Sequence, residues 1–248
     1  MRNRNALVTG GMGGIGTIIA RTLADNGAKV AVTYFKQGNH KLAEEWVAQQ
    51  RLDGYEFKIF YADLTDFSST AQMIQNILAE IGNIDILINN AGITEDITLA
   101  KMTPEQWHKV IDNNLHSMFN VTQNIVKEMI KNNYGRIINI SSINGQKGQF
   151  GQTNYCASKA GIHGFTKALA YEVARKGITV NTISPGYVKT SMTATMKPDI
   201  LDQIVNQIPI GRLAEPREVA RAVAFLAAEE AAYITGSNLA INGGQHMF

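Results

Sequence analysis

The chain has 248 residues, 45% hydrophobic and 18% charged, which excludes a disordered polymer and suffices for one large core. Its 23 Lys and Arg against 21 Asp and Glu leave a net charge of +2, too little to argue for nucleic acid or an anionic membrane as partner. The single cysteine, Cys156, excludes an intrachain disulfide and a cysteine-based metal site.

Met1-Arg2-Asn3-Arg4 runs directly into a strand-like segment at 6–9, with no long apolar stretch of a signal peptide. No run approaches about 18 apolar residues, so no membrane span is expected and the expected location is the cytoplasm. Further short apolar runs at 29–34, 57–61, 85–89, 136–141, 179–184 and 238–241 read as strands. Most are aliphatic on both faces, which suits strands covered on both sides. Helical periodicity fills the intervals at 15–26, 40–51, 67–81, 104–131, 153–175 and 216–229. This alternation predicts one α/β domain over 1–248, with about seven parallel strands and helices on both faces. Residues 189–211, with Pro198 and Pro209, have weak periodicity and read as a lid or a surface connection.

Thr9-Gly10-Gly11-Met12-Gly13-Gly14-Ile15-Gly16 follows the first strand and opens the first helix. That context makes it a dinucleotide-site candidate. Gly10 permits a sharp turn, Gly14 a close approach to a pyrophosphate, and Gly16 close helix–sheet packing. The N–H groups of Met12, Gly13, Gly14 and Ile15 then face the phosphates at a helix N-terminus.

The Gly-x3-Gly-x-Gly spacing resembles that of the short-chain dehydrogenase/reductase family, and the resemblance covers essentially the whole chain. Asn89-Asn90-Ala91-Gly92 is similar to its motif after the fourth strand. Asn114, Ser142, Tyr155 and Lys159 match its catalytic tetrad, and Pro185-Gly186 with Thr190 its nicotinamide segment. The resemblance implies a Rossmann-like doubly wound fold. It also implies a nicotinamide site that includes Asn90, Ala91, Gly92, Ile93, Tyr155, Lys159, Pro185, Gly186, Val188 and Thr190. A homotetramer built on the long helices is the family's frequent assembly.

Tyr155 and Lys159 lie four apart on a predicted helix and share a face. A nearby ammonium is expected to lower the phenol's pKa and make it a proton donor to a developing alkoxide. Ser142 ends the fifth strand and is expected to hold the substrate oxygen; the neighbouring Ser141 is the competitor. Asn114, beside Asn113, is expected to interrupt its helix; the resemblance implies a proton relay through Lys159. Cys156 reads as a small buried thiol, and His108, His116 and His163 show no metal spacing, so no metal is expected.

The second strand ends Val32-Thr33-Tyr34-Phe35-Lys36 without the acid that commonly binds the ribose of NAD. Lys36 or Lys41 would suit a 2′-phosphate, favouring NADPH/NADP as cofactor. Asp63-Leu64 resembles the family's adenine-contacting pair.

The segment Ser141–Tyr155, the start Gly11–Thr17 and the tail Asn242–Met247 resemble the subgroup that reduces acetoacetyl-CoA in polyhydroxyalkanoate synthesis. That resemblance implies an acyl-CoA substrate surrounded by Gln149, Phe150, Gln152 and Tyr187, with Asp96 near the entrance. The aromatics would limit acyl length. Two alternatives stand beside it. One is a 3-oxoacyl-[acyl-carrier-protein] reductase, whose carrier would dock on Lys127, Lys131, Arg136 and Lys176. The other is a non-catalytic NADP(H)-binding sensor, against which the intact Ser/Tyr/Lys set argues.

Overall fold

The computed structural model describes residues 1–35 and 40–247. Seven strands form one sheet in the order β3-β2-β1-β4-β5-β6-β7. They are β1 (Asn5–Val8), β2 (Lys29–Tyr34), β3 (Lys58–Tyr61), β4 (Ile86–Asn89), β5 (Gly135–Ile140), β6 (Ile178–Pro185) and β7 (Asn238–Ile241). Every neighbouring pair is parallel. The doubly wound α/β architecture expected from the alternation is therefore present.

The helices are α1 (Gly14–Asp25), α2 (His40–Leu52), α3 (Phe67–Ile81), α4 (Pro104–Ile111), α5 (Ser117–Asn132), α6 (Asn144–Lys147), α7 (Thr153–Val173), α8 (Ser191–Ala194), α9 (Pro198–Asn206) and α10 (Pro216–Ala227). Strand side chains alternate between two cores. Ala6, Val8, Val32, Ile88 and Ile138 pack with Ile19 and Leu23 of α1 and Val219 and Val223 of α10. Leu7, Ala31, Leu87 and Ile137 face the other way, onto Ile74 and Ile77 of α3, Ile125 and Met129 of α5 and Val173 of α7. Burial on both faces explains why the strands read as continuous apolar runs rather than as alternation.

The long helix at 104–131 is two helices, α4 and α5, joined by a π-helical turn over Asp112–His116, so the interruption expected at Asn114 is present. Its cause is local: Asn113 Nδ2 donates to the Lys109 carbonyl at 2.8 Å and Ser117 Oγ to the Asn113 carbonyl at 2.6 Å. The segment 189–211 is not irregular throughout. Pro198 starts α9, whose apolar residues Leu201, Ile204 and Val205 are only half-buried.

β1 lies between β2 and β4, so the chain departs in opposite directions from the ends of β1 and β4. The crevice above these C-terminal strand ends is where open α/β sheets bind ligands.

Candidate active site

The floor of the crevice is built by close backbone approach. Gly10 has φ +60°, and a Cβ there would lie 3.1 Å from Ala91 Cα. A Cβ on Gly16 would lie 2.4 Å from the Gly10 carbonyl oxygen and 2.9 Å from Asn90 Nδ2. The glycines thus clamp the turn after β1 to the start of α1 and to the segment after β4. Gly14 is exposed at the N-terminus of α1, and a Cβ there would meet the Thr190 side chain at 3.2 Å. The N-cap residue of α1, Gly13, provides no side-chain acceptor, so the first-turn N–H groups face the crevice uncapped. A cradle without side chains at a helix N-terminus fits the pyrophosphate of a dinucleotide.

Thr9 holds the second wall and was not singled out from sequence. Its buried hydroxyl accepts the N–H groups of Asn90 and Ala91 at 3.0 and 3.1 Å. Asn90 Nδ2 returns to the carbonyls of Thr9 and Gly10 at 3.0 and 3.2 Å. Thr190 begins α8 with a reciprocal cap to Thr193, and Gly186 N–H donates to the Ile241 carbonyl at 2.9 Å. Ile143 N–H donates to the Pro185 carbonyl at 2.8 Å, tying the segment after β6 to that after β5. Val188 is buried and bridges Ala214 in parallel.

Lys159 is buried, with Nζ donating to the Ile140 carbonyl at 2.9 Å and lying 5.7 Å from the Tyr155 ring centroid. Burial lowers its pKa to about 8. The Tyr155 phenol is raised, not lowered as the Lys159 ammonium led one to expect. Burial is the largest cause; the Ser142 hydrogen bond opposes it by stabilising phenolate, and Asp96 and Tyr187 add to the rise. The reason is geometric: the lysine is directed at a carbonyl, and the desolvation of a phenolate dominates.

The two serines separate cleanly. Ser141 Oγ donates to the Lys159 carbonyl at 2.8 Å and meets His163 Nε2 at 3.2 Å, so it fastens α7 to the sheet. Ser142 Oγ accepts the Asn144 N–H at 3.1 Å and hydrogen-bonds Tyr155. The π-turn rotates Asn114 inward, where Oδ1 accepts the Ile93 N–H at 2.8 Å. Its Nδ2 donates to the Ile93 carbonyl and to Ser158 Oγ, both at 3.0 Å. A Cβ on Gly92 would lie 3.1 Å from Asn114 Oδ1 and 3.3 Å from Lys159 Nζ, so Asn114, Gly92 and Lys159 meet at one point.

Asp96, Gln152 and Tyr187 gather beside Tyr155, with the Tyr187 phenol raised by burial and by Asp96. Gln149 and Phe150 stay on the rim; Phe150 is 87% exposed and encloses nothing within the chain. At the far end, Phe35 stacks on Tyr61, and Tyr34 Oη meets His40 Nδ1 at 2.6 Å. Asp63 Oδ1 is occupied by Thr65, through N–H at 2.9 Å and hydroxyl at 2.6 Å, and Leu64 is buried. Lys41 is exposed and pairs with Glu45 at 3.8 Å; Lys36 lies outside the described residues.

Residues 10–246 match the family model described as Enoyl-(Acyl carrier protein) reductase, a short-chain dehydrogenase/reductase model. The chain belongs to the short-chain dehydrogenase/reductase family. It is 52% identical to an acetoacetyl-CoA reductase of Allochromatium vinosum over 98% of this chain and 99% of that one. It is 49% identical to an acetoacetyl-CoA reductase of Cupriavidus necator over the full length of both. A 3-oxoacyl-[acyl-carrier-protein] reductase of Escherichia coli is 45% identical over 98% of this chain and 97% of that relative. As a short-chain dehydrogenase/reductase, the chain is an oxidoreductase that uses a nicotinamide cofactor.

Arg136 does not join a docking face. It is 3% exposed, with Nη1 donating to the carbonyls of Gly135 and Gly177 at 2.8 and 3.1 Å. Lys131 pairs with Glu128 near the end of α5, and Lys176 follows α7. Tyr155 opens α7, so Lys176 lies about 30 Å away along the helix. These lysines do not flank the chain's own site.

Proposed function

We propose that the protein reduces acetoacetyl-CoA to (R)-3-hydroxybutanoyl-CoA with NADPH. The observation that carries the reading is the meeting of Ser142, Tyr155 and Lys159 at one end of the crevice, with the uncapped α1 N-terminus at the other. High identity to acetoacetyl-CoA reductases favours the acyl-CoA over a carrier-bound substrate, and the buried Arg136 weakens the carrier alternative.

When bound, the nicotinamide cofactor supplies hydride to the ketone carbon. Ser142 donates its hydroxyl proton in a hydrogen bond to the ketone oxygen, its own lone pair being held by Asn144 N–H. Tyr155 gives its phenolic proton to that oxygen as the alkoxide develops. A raised phenol pKa keeps this proton in place at neutral pH. Lys159 holds the nicotinamide ribose, and Asn114 fixes the Ile93 segment beside it for a proton relay. The exposed backbone of Gly13 and Gly14 takes the pyrophosphate, with Gly10 and Gly16 shaping the turn that presents it, and Asp63 and Leu64 take the adenine. Lys36 or Lys41 takes the 2′-phosphate. Tyr187 lines the acyl site, Gln149 and Phe150 contact the acyl group from the rim, and α8 and α9 close over it as a lid.

The chain works as one cytoplasmic domain in the polyhydroxybutyrate route and assembles as a homotetramer. Supporting this assembly, α5 exposes Phe119 at 49% and α7 exposes Tyr171 at 91%. Among the described residues no helix is long and apolar enough to cross a membrane. Parallel kinetics with acetoacetyl-CoA, six- and eight-carbon 3-oxoacyl-CoA esters and acetoacetyl-carrier protein test the substrate. The highest kcat/KM falls on acetoacetyl-CoA; preference for the carrier or for eight carbons overturns the assignment. Light scattering tests the tetramer.

A further inference from the structure

A polar chain runs from the exposed Asp96, after β4, through the buried Gln152 and Asn144 to Ser142, after β5. The Asp96 carboxylate accepts Gln152 Nε2 at 2.8 Å, and Gln152 Oε1 accepts Asn144 Nδ2 at 2.9 Å. The Asn144 backbone N–H then donates to Ser142 Oγ at 3.1 Å. Gln152 and Asn144 are 9% and 8% exposed, so both ends of the Gln152 amide are committed within the protein.

The direction of each bond follows from one end. A carboxylate accepts only, so Gln152 turns its nitrogen to Asp96 and its oxygen to Asn144. Asn144 must answer with Nδ2, which leaves its Oδ1 buried and unpartnered among the described residues. Turning the Asn144 amide over would bring two amide oxygens together. Turning both amides over would set the Gln152 oxygen against the carboxylate. The orphaned oxygen is therefore a consequence of the polarity that Asp96 imposes.

The result reaches the chemistry through the backbone. With its side chain held, Asn144 presents its N–H to one lone pair of Ser142, whose hydroxyl is the hydrogen-bond partner of Tyr155. We propose that Gln152 and Asn144 are positioning residues, which carry the polarity of Asp96 to Ser142 and aim its hydroxyl at the ketone. This rests on the reductase reading above. It gives Gln152 a partner within the protein at each end of its amide, and it gives a role to Asn144, which sequence reasoning left without one.

A charge swap tests it. Gln152→Glu sets two carboxylates against each other, which forces a shared proton or separation. It lowers kcat for acetoacetyl-CoA by about tenfold or more, with the KM for NADPH held within about twofold. The kinetic isotope effect from deuterated NADPH rises, because the chemical step slows. Adding Asp96→Asn supplies an amide that donates to the carboxylate at position 152, which still accepts Asn144, so kcat recovers to within about threefold of wild type. A residue that only filled space would not respond to the second change. The proposal is overturned if the single variant stays within about twofold of wild type in kcat, or if the double variant is no faster than the single. Should the single variant fail to fold, the double variant decides alone: active supports the chain, inactive overturns it. The wild-type control separates the two readings: if it turns over another 3-oxoacyl thioester but not acetoacetyl-CoA, the substrate assignment fails and the swap is read on that thioester.

Discussion

Replacing Lys159 by Met should abolish turnover yet remove a pH-dependent instability from the fold. Lys159 is buried and its pKa falls from 10.5 to about 8 through desolvation. The sign follows from linkage. Between these two values the unfolded chain holds the lysine proton and the folded chain releases it, so stability rises with pH through that window. Below it the folded state carries the whole cost of a buried ammonium, and above it none. Integrating from about pH 7 to about pH 9.5 gives a gain of ~2 kcal/mol from this group alone. Met fills similar space without the charge, so Lys159→Met lacks that gain, although it leaves the Ile140 carbonyl without its 2.9 Å partner. The assay is thermal or urea unfolding of both proteins, freed of cofactor, at the two pH values. The wild type should gain about 4–8 °C in Tm relative to the variant between the two conditions. Parallel pH dependence in the two proteins refutes the reasoning, since it means that no ammonium is being desolvated at this position.

Tyr155→Phe keeps the ring and loses the proton. Cofactor titration should be unchanged while kcat falls by about 10²–10⁴. Because the Tyr155 pKa is raised by burial, reduction by the wild type should be flat through neutral pH and decline only at alkaline pH; oxidation of the alcohol should rise with pH. Gly16→Ala places a methyl 2.4 Å from the Gly10 carbonyl oxygen and should abolish cofactor binding, checked by fluorescence titration. NADPH should exceed NADH in kcat/KM, and Lys41→Ala and Lys36→Ala, compared separately, identify the phosphate partner by a selective rise in the KM for NADPH. Phe150→Ala should lower kcat/KM for acetoacetyl-CoA and narrow its advantage over the six-carbon ester, because a rim aromatic positions the short chain.

Sequence alone determined the sheet and most of the cofactor cradle. Parallel strands buried on both faces leave long apolar runs at 29–34 and 136–141, and the glycines between 10 and 16 are dictated by steric demands that any ligand-binding turn of this kind shares. The Tyr155/Lys159 pairing was legible too, because helical spacing alone puts them on one face. Strand alternation already favoured Ser142 over Ser141, and the tertiary structure supplied a physical reason: the packing of α7, with its Lys159 carbonyl and His163, engages Ser141. The tertiary structure also reversed the expected direction of the Tyr155 shift. Charge proximity can be guessed from spacing, whereas desolvation depends on everything that closes around the ring. Arg136 looked like a surface cation but is buried and donates to the carbonyls of Gly135 and Gly177, and Gln152 bridges Asp96 and Asn144, a link that no spacing announces. In each case at least one deciding partner is distant along the chain: Lys159 for Ser141, Gly177 for Arg136 and Asp96 for Gln152. Periodicity and spacing report a residue's own element, while hydrogen-bond commitment and burial belong to contacts that exist only after the strands have assembled.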